Sequence, residues 1–163
     1  MLPTKRHLFS GLALAIILVW VSHRSQSLRP AQPTLTVSTT GSWQQDGAYP
    51  GELFLNATGI RLWGSWSGAD DYTGTIELGP FPAPRMLRFG LSGYPNRGGN
   101  DLQARLDGTA ETISLKDVDI GERWRVVDLE LPSAWVGRPI RISGRDQAKG
   151  AGGWFGISEP LHG

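Results

Sequence analysis

LRFGLSGYPNRGGNDLQARLDG, residues 87–108, holds two runs of alternating side chains on either side of a polar loop. Leu87, Phe89 and Leu91 share one parity, and Arg88, Gly90 and Ser92 the other. After the loop, Leu102, Ala104 and Leu106 alternate with Gln103, Arg105 and Asp107. A period of two lets a pleated strand bury one face and wet the other. Pro95 and the Gly98-Gly99 pair mark the loop as a chain reversal, so the stretch reads as two antiparallel strands.

The same alternation recurs outward from this stretch. It is present at Leu35/Val37, Ile60/Leu62, Ile76/Leu78, Ile113/Leu115 and Ile140/Ile142. Turn-forming clusters separate the runs: Gly41-Ser42, Asp46-Gly47, Pro50-Gly51, residues 80–84, Asp107-Gly108 and residues 149–153. No helical run of useful length follows residue 30. Many short strands with polar outer faces predict an all-β domain over residues 34–163, a two-sheet antiparallel jelly-roll sandwich. One strand departs from the pattern: in residues 124–131 the apolar parity changes between Val126 and Val127, which predicts a β-bulge there.

The chain of 163 residues is one domain's worth, and its 39% hydrophobic content suffices for a core without cross-links. It has no cysteine, which excludes disulfides and thiolate metal sites but not an exported domain. Residues 1–30 hold Lys5, Arg6, Arg24 and Arg29 and no acid. The remainder carries 12 Lys and Arg against 15 Asp and Glu, so the domain is slightly acidic and no nucleic-acid partner is expected.

Residues 8–22 (LFSGLALAIILVWVS) are uncharged, with Lys5, Arg6 and His7 before them and His23 and Arg24 after. A cleaved signal peptide, an interfacial helix and a retained signal anchor all have such a segment. No small-residue cleavage site follows, and Arg24 stands where one would lie, so the retained anchor is the reading taken. It divides the chain into a basic tail (1–7), a transmembrane helix (8–23), a linker (24–33) and the sandwich (34–163). The span is short against the ~20 residues usual for a bilayer, and snorkelling arginines can close that gap. Charges on its two sides nearly balance, and the orientation taken puts the domain on the extracytoplasmic side.

Three stretches carry a family resemblance: GSWSGADDYTG (64–74), the opening stretch (87–108), and ERWRVVDLELPSAWVGRPIRISGRDQAKGAGGWFGISEP (122–160). Together they resemble a galactose-binding-like jelly-roll sandwich, the broad group that contains many carbohydrate-binding modules and accessory domains. The resemblance implies this fold within a functionally diverse group, and transfers no individual ligand-binding residue.

Aromatic and polar residues then compose a candidate ligand-binding set. Trp66 and Tyr72 sit with Asp70 and Asp71 in a Gly/Ser/Asp loop, where a stacking platform for sugar rings is expected. Tyr94, Arg97, Asn100 and Asp101 form a second polar rim. Trp63 and Trp154 have parity opposite to their apolar neighbours, so they are placed facing outward or into the second side of a sheet, with Trp154 in the set. Core packing and ordinary hairpin loops explain the same residues equally simply. No cofactor and no catalytic or metal-ligating residues are assigned. Asp70-Asp71, and Asp117 and Asp119 with Glu122, leave a structural calcium ion open. No pair of acids is recognisable as a glycosidase dyad, and the only histidine beyond residue 23 is His162, so an enzyme is not expected. Asn56-Ala57-Thr58 fits a glycosylation sequon.

Two functions remain. One is a membrane-anchored extracytoplasmic module that binds a glycan or surface polymer. The other is a non-catalytic accessory subunit of a membrane protein complex, with Gly11, Ala13 and Ala15 allowing close helix packing in the bilayer.

Overall fold

The computed structural model describes residues 29–30, 35–51, 59–116 and 118–162. The expected tail and anchor (1–7 and 8–23), Asn56 and Asp117 lie outside the described residues. Among the described residues no helix is long and apolar enough to cross a membrane.

The strands are β1 (Arg29–Pro30), β2 (Val37–Gly41), β3 (Gln44–Gln45), β4 (Leu62–Gly64), β5 (Gly74–Pro82), β6 (Met86–Gly93), β7 (Asp101–Leu106), β8 (Thr112–Ser114), β9 (Gly121–Glu130), β10 (Pro139–Asp146) and β11 (Phe155–His162). The first sheet runs β3-β4-β11-β6-β9, with β1 added alongside β11, and the second runs β2-β5-β10-β7-β8. All pairings are antiparallel. Strands β5, β6 and β7 switch sheet in turn, as do β9, β10 and β11, which is the crossing habit of a jelly roll. Two residues of the expected linker, Arg29 and Pro30, pair with His162 and Leu161 at the end of β11.

The alternating residues meet between the sheets. Leu87, Phe89 and Leu91 from β6 face Ile76, Leu78, Leu102, Leu106, Ile140 and Ile142 from the second sheet, each no more than 2% exposed. Phe155 joins the layers. Its ring lies where a Cβ on Gly144 of the opposite sheet would meet it at 3.3 Å, and Trp43 packs edge-on against it at 4.9 Å.

Two parity readings are corrected. Trp63 points into this central core, whereas Ile60 and Leu62 point away from it into a second apolar cluster with Trp124 and Leu161. Likewise, no bulge separates Val126 from Val127, which pair in unbroken register with Gly90 and Phe89. Strand β9 is irregular nearer its start, where the register passes from Leu91↔Arg125 to Gly93↔Gly121. The cause is common to both: the first sheet is covered on both faces along β4, β11 and the start of β9. Trp124 therefore belongs outside while Val127 and Leu129 pack inside. Tyr49 closes the outer cluster; its ring leaves no room for a Cβ on Gly64, and Trp124 leaves none on Gly156.

The second sheet's outer face is polar. Glu77 bridges Arg105 at 2.9 Å and Arg141 at 2.7 Å, and Arg141 also binds Asp107 at 2.7 Å. That last hydrogen bond holds the Asp107 carboxyl below its ordinary range.

Because Phe155 is fully buried between two sheets, Phe155→Ala is expected to lower unfolding free energy by about 3–5 kcal/mol. An unfolding free energy from urea denaturation that falls by less than about 1 kcal/mol would show that the sheets do not depend on this ring.

Candidate functional site

Strand register brings the candidate residues to one end of the sandwich. Gly41 and Asp146 both pair with Gly74, Gly64 with Gly156, Gly93 with Phe155, and Arg145 with Asp101. The loops at residues 65–73, 94–100 and 147–154 therefore emerge from the same edge. Trp66, Asp70, Asp71, Tyr72, Tyr94, Arg97, Asn100 and Trp154 sit on these loops, and Asp101 opens β7 beside them.

The glycine-rich segment 147–153 is held by side chains from the other two loops. Asn100 is buried, and its Oδ1 accepts from the amides of Gln147 and Ala148, both at 2.9 Å, while its Nδ2 donates to the Tyr94 carbonyl at 3.1 Å. Asp70 Oδ2 accepts from Gly152 N at 3.0 Å, and Asp71 Oδ1 from Gly150 N at 2.9 Å. Arg97 lies over the Tyr94 ring at 4.0 Å and reaches Asp119 at 4.0 Å. Short polar side chains thus satisfy the backbone of a segment too rich in glycine to form a ladder.

An open groove of about 630 Å³ lies beside this braced unit, lined by Ser42, Trp43, Gln44, Ser67, Asp71 and Tyr72 among others. Its size falls within the roughly 300–1,000 Å³ of ligand clefts. Tyr72 is 49% exposed at its edge, and Trp43 is buried beneath. Gln44 Nε2 donates to the Trp66 carbonyl at 2.7 Å and ties the two walls together. The lining supplies a free aromatic face, hydroxyls, an amide and a carboxylate, the groups that grip a polyhydroxylated ring.

The expected set divides. Asp71 and Tyr72 line the groove. Trp66 is half-buried, with Trp154 at 6.3 Å in an edge contact. Trp154 itself is only 1% exposed and stacks with Tyr49, so it offers no outward platform. Asn100 is consumed by its loop contacts, and Tyr94 is covered by Arg97. Ser42, Gln44 and Ser67 were outside the expected set. The Gly41-Ser42 turn was visible in sequence, but only the long-range pairing of β2 with β5 and of β3 with β4 brings it to the groove.

The acidic groups also divide. Asp119 and Glu122 are exposed, and among the described residues no three His, Asp or Glu side chains converge as a metal cluster. A different acid is buried at this end of the sandwich: Asp146, 1% exposed, whose Oδ1 accepts from Ala148 N at 3.2 Å. The structural ion common in sandwiches of this type has a fitting donor set here. Oδ2 of Asp146 and Oδ1 of Asp70 are buried with no hydrogen-bond partner among the described residues, and backbone carbonyls crowd beside Gly153. An oxygen-only set of this kind suits calcium, which would supply charge neutralisation and loop cross-linking.

No family model and no curated protein matches the sequence. Among solved structures, the chain is similar to the C-terminal extracellular domain of Mycobacterium tuberculosis EmbC, with 18% identity and a TM-score of 0.50. That match covers 70% of this chain and 48% of the other, so the chain spans about half the length of that relative. Two carbohydrate-binding modules also align. CBM29-2 does so at 18% identity and a TM-score of 0.40, over 80% of this chain and 91% of that one. TmCBM61, solved with beta-1,4-galactotriose, does so at 14% identity and a TM-score of 0.41, over 77% and 86%. Similarity at this level is one of fold. The fold shared with the EmbC domain is a two-sheet antiparallel β-sandwich.

Burial first, with the charge of Asp70 adding to it, pushes the Asp146 carboxyl up to about 6 from an ordinary 3.8; Ser65 and Ala148 oppose the shift by hydrogen bonding. The folded state therefore binds this proton more tightly than the unfolded chain. The stabilisation is complete below about pH 4 and is lost as pH rises through about 6. In chelator, the wild type is expected to lose up to about 3 kcal/mol relative to Asp146→Asn between pH 4 and pH 7.5. Parallel urea curves for the two proteins at both pH values would refute this.

Proposed function

We propose that the domain is a non-catalytic, extracytoplasmic binding module that recognises a glycan or a related surface polymer through the groove at the loop end, and that residues 8–23 hold it at a membrane. The observation that carries this reading is the exposed Tyr72 ring beside Asp71, Ser67 and Gln44 on a rigid two-sheet frame. An aromatic face stacks on the C–H face of a pyranose, and the polar neighbours hydrogen-bond its hydroxyls. The solved structures similar in fold support it by what they are: an extracellular domain and two carbohydrate-binding modules. Asp71, the one carboxylate among the described residues that line the groove, accepts a hydrogen bond at Oδ1 from the Gly150 amide, an arrangement suited to holding a loop rather than to acid–base work.

The groove should retain the protein in affinity gels containing soluble polysaccharide. Tyr72→Ala is expected to weaken binding about tenfold, equivalent to about 1.4 kcal/mol and within reach of one aromatic contact. Trp66→Ala should weaken it less, because that ring is partly spent on Trp154. Unretarded migration of the wild type through a broad panel of bacterial polysaccharides would overturn the reading. Co-purification of a stoichiometric membrane protein in mild detergent would then favour the accessory-subunit role.

A further inference from the structure

Arg29 and Pro30 pair antiparallel with His162 and Leu161, at the far end of β11 from the groove. The chain before Arg29 therefore enters the sandwich at the end opposite the groove. Leu161 pairs on its other side with Arg88, so this entry point lies two strand spacings, about 10 Å, from the start of β6. The turns at this end form one connected surface. Ala83 N donates to the Arg138 carbonyl at 2.8 Å, Gly137 N to that of Ala83 at 2.9 Å, and Leu131 N to that of Arg85 at 3.0 Å. Two of the four large hydrophobic side chains exposed among the described residues stand on it, Met86 at 46% and Val136 at 47%. Pro84 and Pro132 are exposed on the same turns. The acids here are already engaged: Glu130 with Arg85, Asp107 with Arg141 at 2.7 Å, and Glu111 with Trp135 Nε1 at 3.0 Å. Arg138 is exposed and has no ion pair among the described residues. Apolar side chains beside a free guanidinium fit the headgroup layer of a bilayer, where the first reach acyl chains and the second meets phosphate.

We propose that this end of the sandwich rests on the phospholipid surface of the bilayer that holds residues 8–23, a placement that itself rests on reading those residues as an anchor. Met86, Val136, Pro84 and Pro132 enter the headgroup layer, and Arg138 meets the phosphates. The five residues 24–28 between that segment and Arg29 span at most about 18 Å, which keeps the turns within reach of the headgroups. The eight residues of β11 then carry the chain roughly 26 Å away from the bilayer to the loop end. The groove opens on the side away from the membrane. It therefore meets a polymer arriving from outside rather than a headgroup of its own bilayer.

The chain has no cysteine, so one introduced thiol places a fluorophore at a single position. Ser133→Cys and Lys149→Cys put it at exposed sites on the two opposite ends. Each full-length protein is reconstituted in vesicles of phosphatidylcholine and phosphatidylglycerol in which part of the lipid carries a headgroup nitroxide. Quenching at position 133 is expected to exceed that at 149 at least fivefold. Adding Met86→Asp and Val136→Asp to the Ser133→Cys protein should cut its quenching by half or more. Equal quenching at the two ends, in protein that floats with the vesicles, would overturn the resting face and leave the anchor standing; this comparison does not depend on the aspartate variant folding. Undiminished quenching in the aspartate variant would mean that the tether alone sets the orientation, and the lipid contact would fall. Protein that does not float with the vesicles would overturn the anchor reading, and the placement with it.

Discussion

The seat of Phe155 on Gly144 sets the distance between the two sheets, and most of the remaining structure follows from it. Gly144 brings the β10 backbone close, the ring fills the space, and Trp43 closes over its edge. Phe155 is also the first residue of β11, which pairs with β4 on one side and β6 on the other. A single aromatic ring thus couples the central strand of one sheet to the middle of the other. The residue before it, Trp154, faces the opposite way and is packed by Tyr49 and Trp66. Strand β11 is therefore buried on both faces, a condition more familiar in parallel sheets than in antiparallel ones.

Covering the outer face of the first sheet has a consequence for the loops. Tyr49 and Trp66 come from segments on either side of β4, and both lean on Trp154. Loop 65–73 is therefore anchored at its start by an aromatic contact and further along by the hydrogen bonds of Asp70 and Asp71 to the glycine-rich segment. Asn100 grips that segment from the third loop. What looks in sequence like three mobile polar loops is one cross-braced surface. Such bracing is what a binding groove needs if its aromatic edge is not to lose conformational entropy when a ligand arrives.

Much of this was legible in advance where the pattern was local. The alternation at Leu87, Phe89 and Leu91 and at Leu102, Ala104 and Leu106 placed two strands with the correct faces inward. Asp71 and Tyr72, which line the groove, stood out in sequence because they lie in a short Gly/Ser/Asp loop with two aromatics. The parity rule misplaced Trp63 and the irregularity of β9 for one reason: it assumes that a sheet has a single apolar face, whereas Trp154, expected opposite to Phe155, does lie on the second side of its sheet. Asn100 and Asp146 went unrecognised as structural residues because their partners are 47 and 2 positions away and are backbone amides, which carry no sequence signal.

By itself the sequence determined the strand class, the approximate strand positions and the slightly acidic, cysteine-free character of the domain, because period-two hydrophobicity and turn chemistry act between near neighbours. Only the tertiary structure decided which face of the first sheet needed a second apolar cover, which loops share one end, and which acids are buried there. Those outcomes depend on pairings such as Gly41 with Gly74 and Gly64 with Gly156, which join residues far apart along the chain. A strand's alternation says that one face will be buried. It does not say against what, and the groove is made by that choice.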